Sequence, residues 1–80
     1  MKAIIHVTLK TGVLDPQGKA IANTLHAMGF DTVNDVRQGK YIELDLLDIS
    51  HEEAEKAVDA MCSKLLANTV IENYTYELTE

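Results

Sequence analysis

The chain has 80 residues, of which 46% are hydrophobic and 25% charged, and its formal net charge is −6. This composition describes one small folded domain over residues 1–80 and excludes a disordered chain. The excess of acidic residues argues against nucleic acid and anionic membranes as partners, because negative charge repels phosphate groups. The N-terminal segment MKAIIHVTLK lacks the continuous apolar core of a signal peptide, so we expect a cytoplasmic protein.

The first part of the chain predicts a strand and then a helix. Residues 3–9 alternate apolar and polar side chains, which is typical of a half-buried strand. Asp15 and Pro16 then fit a helix N-cap and first helical residue, because the carboxylate accepts a free backbone N–H and proline there loses no hydrogen bond. Apolar side chains recur at helical spacing up to Gly29, which we expect in the left-handed conformation that ends a helix.

The middle of the chain predicts a β-hairpin. Residues 32–37 form a short, mostly polar segment that we interpret as a strand. Residues 40–47, KYIELDLL, form a much stronger strand, and a turn near Gly39 joins the two.

A second helix and a last strand complete the predicted fold. Ser50 and Glu53 have the spacing of a capping box and precede an apolar stripe at helical period, which ends near Asn68. Residues 72–78 alternate again and predict a strand. The order βαββαβ is that of an α+β, ferredoxin-like fold, in which two helices cover one face of an antiparallel sheet.

The uncovered face of that sheet would carry Ile4, Tyr41 and Leu47 among polar side chains. It is too apolar for an ordinary solvent-facing surface, and the last strand has no lysine or proline to protect its edge. We therefore expect a homodimer or a larger homo-oligomer.

No catalytic group, cofactor site or metal site is predicted on this chain. The three histidines are scattered and form no i, i+4 pair. The segment TGVLDPQG lacks the GK[ST] of a Walker A loop, and Asp15 would repel a phosphate at the helix N-terminus. The single cysteine, Cys62, falls inside the second helical pattern, where we expect a small buried side chain.

Three stretches cover nearly the whole chain and carry a family resemblance. They read VTLKTGVLDPQGKAIANTLHAMGF, VNDVRQGKYIELDL and CSKLLANTVIENYTYEL. They resemble the PurS family, the small subunits of bacterial and archaeal formylglycinamidine ribonucleotide (FGAM) synthase in purine biosynthesis. One departure is that this family often has proline where Thr69 stands.

The resemblance implies a non-catalytic role. In this family a large synthetase subunit converts the formylglycinamide ribonucleotide amide to an amidine with ATP, and a glutaminase subunit releases ammonia from glutamine. The small subunit dimerises and helps the other two assemble for ammonia transfer. ATP and Mg²⁺ would then be used by the complex, with no cofactor on this chain.

The resemblance also implies where the synthetase and glutaminase subunits make contact. Gln17 and Arg37 are the stronger candidates, because neither a helix cap nor a turn needs their side chains, and Arg37 can make a planar contact with a partner carboxylate. Capping and turn formation compete as explanations for Asp15, Pro16 and Gly39. The candidate partner-contact residues are Asp15, Pro16, Gln17, Gly18, Arg37, Gly39 and Lys40.

Two other functions remain open. The βαββαβ order also occurs in ACT-like regulatory domains, which bind small molecules at oligomer interfaces. Free amino acids or nucleotides that raised the melting temperature (Tm) would favour that alternative. A stand-alone enzyme is the third hypothesis.

Overall fold

A three-stranded antiparallel sheet and two helices make up the fold, in a computed structural model that describes residues 1–80. This arrangement confirms the predicted α+β class, and both predicted helices are present. A π-helical turn continues the second helix. In chain order the elements are β1 (Lys2–Leu9), α1 (Pro16–Ala27), β2 (Gly39–Asp45), α2 (His51–Met61), the π-helical turn (Cys62–Leu66) and β3 (Glu72–Thr79).

β1 is the central strand and runs antiparallel to both neighbours, in the order β2-β1-β3. Ile5 lies opposite Ile42 of β2 and Tyr76 of β3. Because successive side chains of a strand alternate between the two faces, Ala3, Ile5 and Val7 share one face. All three are fully buried, so this face of the sheet holds the core.

α2 and its π-helical turn cover the buried face. Val58 and Cys62 belong to the same core cluster as the three buried residues of β1. Cys62 is fully buried, as the sequence predicts, and burial raises the pKa of its thiol. At the edge of the core, the Tyr74 hydroxyl donates to Asp59 Oδ1 over 2.7 Å, which ties β3 to α2.

The predicted helix ends are present in the structure. Asp15 Oδ1 accepts the backbone N–H of Gly18 at 2.8 Å, and Ser50 Oγ accepts that of Glu53 at 3.2 Å. Gly29 has a φ of 95°, the left-handed conformation expected after α1. Local sequence therefore determines where both helices begin.

The strand predicted over residues 32–37 is not formed. The backbone N–H of Val36 donates to Asp35 Oδ1 at 2.9 Å, and that of Gln38 donates to Asp15 Oδ2 at 2.7 Å. Side-chain acceptors thus take backbone donors that a strand would use for pairing, a competition typical of aspartate. The sheet has three strands instead of the four that were predicted.

α1 stands apart from the core. The sequence predicts that both helices cover one sheet face, but the core cluster contains no residue of α1, in which only Gly18 and Ala22 are buried. The Cα radius of gyration is 16.1 Å and the longest extent is 49 Å. A compact chain of this length has a radius of gyration of about 12 Å. α1 therefore forms an arm, and α2 alone supplies helical residues to the core.

Candidate partner-contact site

The two motif segments identified in the sequence meet in space. Residues 10–18 lead from β1 into α1, and residues 35–38 lead into β2. Side chains of each segment bond to the backbone of the other. We call these two segments together the clasp, and it contains most of the candidate partner-contact residues.

Asp15 bridges the two halves of the clasp. One carboxylate oxygen caps α1 at Gly18, and the other accepts the backbone N–H of Gln38. The residue is only 7% exposed. The hydrogen bond from Gln38 and then that from Gly18 hold the pKa of Asp15 below its usual value of 3.8, and the nearby Arg37 charge adds to the effect.

Arg37 closes the clasp from the opposite side. Its Nη1 donates to the carbonyl oxygen of Val13 at 3.1 Å, and its Nη2 donates to that of Lys10 at 3.1 Å and lies 3.5 Å from that of Leu9. A planar guanidinium can satisfy several loop carbonyls at once. Sequence reasoning missed this role because the acceptors lie 24 to 28 residues away in the chain.

Both motif glycines lie where a side chain would collide with the backbone. A Cβ at Gly18 would meet the carbonyl oxygen of Val36 and the Asp15 carboxylate, and a Cβ at Gly39 would meet the carbonyl oxygen of Val7. Gly18 therefore allows the first turn of α1 to approach the other half of the clasp. Gly39 allows β2 to begin beside β1.

Lys40 is directed to the end of the π-helical turn instead of the clasp. Its Nζ donates to the carbonyl oxygen of Leu66 at 3.0 Å and lies 3.8 Å from Glu72 Oε2. Glu72 also accepts the backbone N–H of Asn68 at 2.7 Å. These contacts join β2 to the connection between α2 and β3.

Gln17 differs from the charged motif residues. It lies in the first turn of α1, it is exposed, and its side chain makes no hydrogen bond within the chain. Pro16 beside it occupies the first helical position and is exposed as well. Gln17 is therefore the motif residue whose polar side chain is free for another molecule.

The chemistry available beside the clasp is limited. An open cleft of about 530 Å³ has two charged lining residues, Asp35 and Arg37, and both are bonded to the chain's own backbone. No three His, Cys, Asp or Glu side chains come together in a group that could hold a metal ion. The cleft is lined by Thr8, Leu9, Thr11, Gly12, Asp35 and Arg37.

Comparison with known proteins decides the family. The family model PurS, described as phosphoribosylformylglycinamidine (FGAM) synthase, matches residues 2–80. Phosphoribosylformylglycinamidine synthase subunit PurS of Bacillus subtilis (strain 168) is 51% identical over 99% of this chain and 93% of that protein. The chain belongs to the PurS family.

Solved PurS structures have the same fold. The structure of B. subtilis PurS matches with a TM-score of 0.88 at 51% identity, over 99% of this chain and 98% of that one. A chain in the structure of PurLQS from Thermotoga maritima matches with a TM-score of 0.85 at 33% identity, over 95% of this chain and 93% of that one. The resemblance read from the sequence motifs is thus confirmed.

The PurS-family chain also exposes apolar side chains at helical spacing along α1. Ile21, Leu25 and the C-cap residue Met28 form this stripe, in which Leu25 is half-buried, Ile21 is 42% exposed and Met28 is 66% exposed. Their helical spacing was visible in the sequence, but it does not reveal whether the stripe packs inside the chain or faces outward. Neither helix combines the length and apolar character needed to cross a bilayer.

Proposed function

We propose that this chain is a non-catalytic assembly subunit of FGAM synthase, which brings a glutaminase subunit and a synthetase subunit together for ammonia transfer in the cytoplasm. The observation that carries the proposal is the PurS family match over residues 2–80. It favours this function over an ACT-like regulatory domain, and the similarity to a chain of PurLQS supports a place in a multisubunit complex.

The chemistry of the clasp supports a non-catalytic role for this chain. The charged side chains of Asp15 and Arg37 are hydrogen-bonded to backbone groups of the same chain. Such groups are not free to act as a general acid, a base or an anion clamp. We therefore propose an interface role for this chain, and we leave the ATP and Mg²⁺ chemistry to the synthetase subunit, as the family resemblance implies.

We propose further that the chain works as a homodimer or a larger homo-oligomer. Only 10 of its 80 residues are buried, so a single chain has a small core. Both outer strands of the sheet, β2 and β3, have an edge without a partner strand. Tyr41 of β2 is 59% exposed. Leu47, which the sequence places on the same sheet face, lies beyond the end of β2 and is 86% exposed. A second copy could cover these features.

Of the seven candidate contact residues, we propose that Gln17 touches a partner subunit directly. Its side chain is exposed and has no bond within the chain. Burying such an amide against a partner that satisfies its donors and acceptors contributes specificity. Asp15, Gly18 and Arg37 hold the surface around it in place.

Reconstitution tests the assembly function. The purified chain is mixed with the synthetase and glutaminase subunits of the same organism, and ATP-dependent amidine formation is measured with glutamine and, separately, with ammonia as nitrogen source. We expect the chain to raise the glutamine-dependent rate far more than the ammonia-dependent rate, because assembly matters when ammonia must pass between subunits. Equal glutamine-dependent rates with and without the chain would refute the proposal.

A further inference from the structure

The α1 arm is attached to the rest of the molecule by a small number of polar contacts. His26 Nε2 donates to the carbonyl oxygen of Val33 at 2.6 Å, and the Asp15 carboxylate links the first turn of α1 to Gln38. No hydrogen bond joins α1 to β1, α2 or β3. With no α1 residue in the core cluster, the direction of the arm is not set by core packing.

The clasp joins the start of α1 to the sheet and can therefore set this direction, whereas the His26 bond connects the other end of α1 to the segment that follows it. Arg37 spans carbonyl groups from the end of β1 to the loop before α1, and Asp15 joins that loop to the segment before β2. The close approach of Gly18 to the carbonyl oxygen of Val36 brings the first helical turn against the same segment. Loop, helix start and sheet are thereby joined at one point.

We infer that Asp15 and Arg37 are positioning residues, which hold α1 at a fixed angle to the sheet so that Gln17 meets the partner subunits in one orientation. This inference rests on the proposed function, because it assumes that the first turn of α1 lies at a subunit contact. It assigns the two charged motif residues an indirect role, in which they act through the placement of α1. A contact held in one orientation loses less entropy on binding than one presented by a swinging arm.

Distances between spin labels measure the angle of the arm directly. Labels are attached to Ala27→Cys on α1 and Glu77→Cys on β3, both exposed positions, while the fully buried Cys62 remains unlabelled. The labelled chain is diluted into unlabelled chain, so that only distances within one chain contribute. We expect one narrow distance distribution for the parent and broad distributions for Arg37→Met and Asp15→Asn.

The matched control is Lys19→Met, which removes a positive charge beside the clasp from a side chain that makes no hydrogen bond there. This variant should keep the narrow distribution. If Arg37→Met does not fold, as judged by circular dichroism, Arg37→Lys serves in its place, because an ammonium group cannot span the same carbonyls as a planar guanidinium. Narrow distributions in all the clasp variants, or equal broadening in the control, would overturn the inference.

Assembly with the synthetase and glutaminase subunits gives the second readout. By sedimentation, we expect Arg37→Met to bind at least about tenfold more weakly than the parent. Gln17→Ala should also bind more weakly while its label distances stay narrow, which separates a contact residue from a positioning residue. If the clasp variants have a mobile arm and yet bind like the parent, the inference fails and the proposed function stands. A parent chain that binds neither subunit would overturn both.

Discussion

The side chains of Asp15 and Arg37 bond to backbone groups of their own chain. The side chain of Gln17, in the first turn of α1, bonds to none. A charged group that is held by several hydrogen bonds stabilises the conformation that supplies those bonds. An exposed amide leaves its donors and acceptor in water until a partner arrives. The residues of the two motif segments therefore divide into structural groups and one group that is available for contact.

Acid should open the clasp through Asp15. Since hydrogen bonds lower the pKa of this carboxyl below 3.8 in the folded chain, its contribution to stability is present above that value and is lost as the pH falls through the lower folded pKa. We expect the Tm of the parent to fall more steeply below about pH 4 than that of Asp15→Asn, which lacks the titrating group. Tm curves against pH that run parallel for the two proteins would contradict this assignment.

Substitutions at Gln17 and Arg37 should have different effects on the stability of the chain. Arg37→Ala removes the donor to the carbonyl oxygens of Lys10 and Val13, so we expect its Tm to fall by about 5 °C. Gln17→Ala removes no internal bond and should leave the Tm within about 2 °C while weakening assembly. Thermal unfolding and co-sedimentation with the partner subunits measure the two effects. Lys19→Ala alters an exposed side chain that makes no hydrogen bond within the chain, so this control should match the parent in Tm.

At the scale of the elements, α1 and α2 have similar helical sequence patterns but different surroundings. α2 buries Ala54 and Val58 and continues into the π-helical turn with the buried Cys62. α1 has the N-cap at Asp15 and the helix end at Gly29 but no place in the core cluster. Caps determine where a helix begins and ends, and packing determines how firmly it is held.

Hydrogen exchange should show this difference. We expect the backbone amides of α1 to exchange at least about tenfold faster than those in the middle of β1, because local opening of α1 exposes little apolar surface. Amide exchange measured by NMR or mass spectrometry on the chain without its partners tests the prediction. Equal protection of α1 and β1 would show that a second copy or another contact already covers the arm.

Alkaline pH should weaken the joint between α2 and β3. The hydrogen bond to Asp59, together with burial, raises the pKa of Tyr74 to about 12 from its usual 10.0. The stabilisation is therefore complete below about pH 10 and is lost as the pH rises toward 12. We expect Tyr74→Phe to have a lower Tm than the parent at neutral pH and the difference to shrink at alkaline pH. Because phenylalanine keeps the packing of the ring, equal Tm values at neutral pH, or a difference that does not shrink at alkaline pH, would contradict this role of the hydroxyl.

At the scale of the whole molecule, the chain is elongated and has a small core. Its radius of gyration of 16.1 Å exceeds the roughly 12 Å of a compact chain of this length, and 10 residues are buried. Exposed apolar side chains include Ile21 of α1, its C-cap residue Met28, and Leu47. A subunit that works in a complex gains its remaining burial from its neighbours.

Stability should consequently depend on protein concentration. If a homo-oligomer is the folded species, a tenfold rise in concentration favours a dimer by about 1.4 kcal/mol, and the Tm should rise by several degrees. Scanning calorimetry over a hundredfold concentration range, with sedimentation in parallel, measures this shift. A Tm that does not change, with a monomer in sedimentation, would contradict the proposed homo-oligomer.

The sequence by itself determined the features that depend on neighbours along the chain. Alternation marked β1, β2 and β3, the caps at Asp15 and Ser50 marked the helix starts, and the motifs identified the PurS family. Strand alternation and helix caps depend on residues a few positions apart, and the family motifs depend on residue identity. All of them could therefore be recognised before the tertiary structure was known.

Only the tertiary structure decided the features that join distant parts of the chain. The bonds from Arg37 to the carbonyl oxygen of Val13 and from Gln38 to Asp15 cross more than twenty residues, and no strand forms over residues 32–37. The sequence also could not predict that α1 lies outside the core, because the apolar spacing of α1 fits a buried stripe and an exposed stripe equally well. Hydrophobic periodicity shows which face of a helix is apolar, and only packing shows what that face meets.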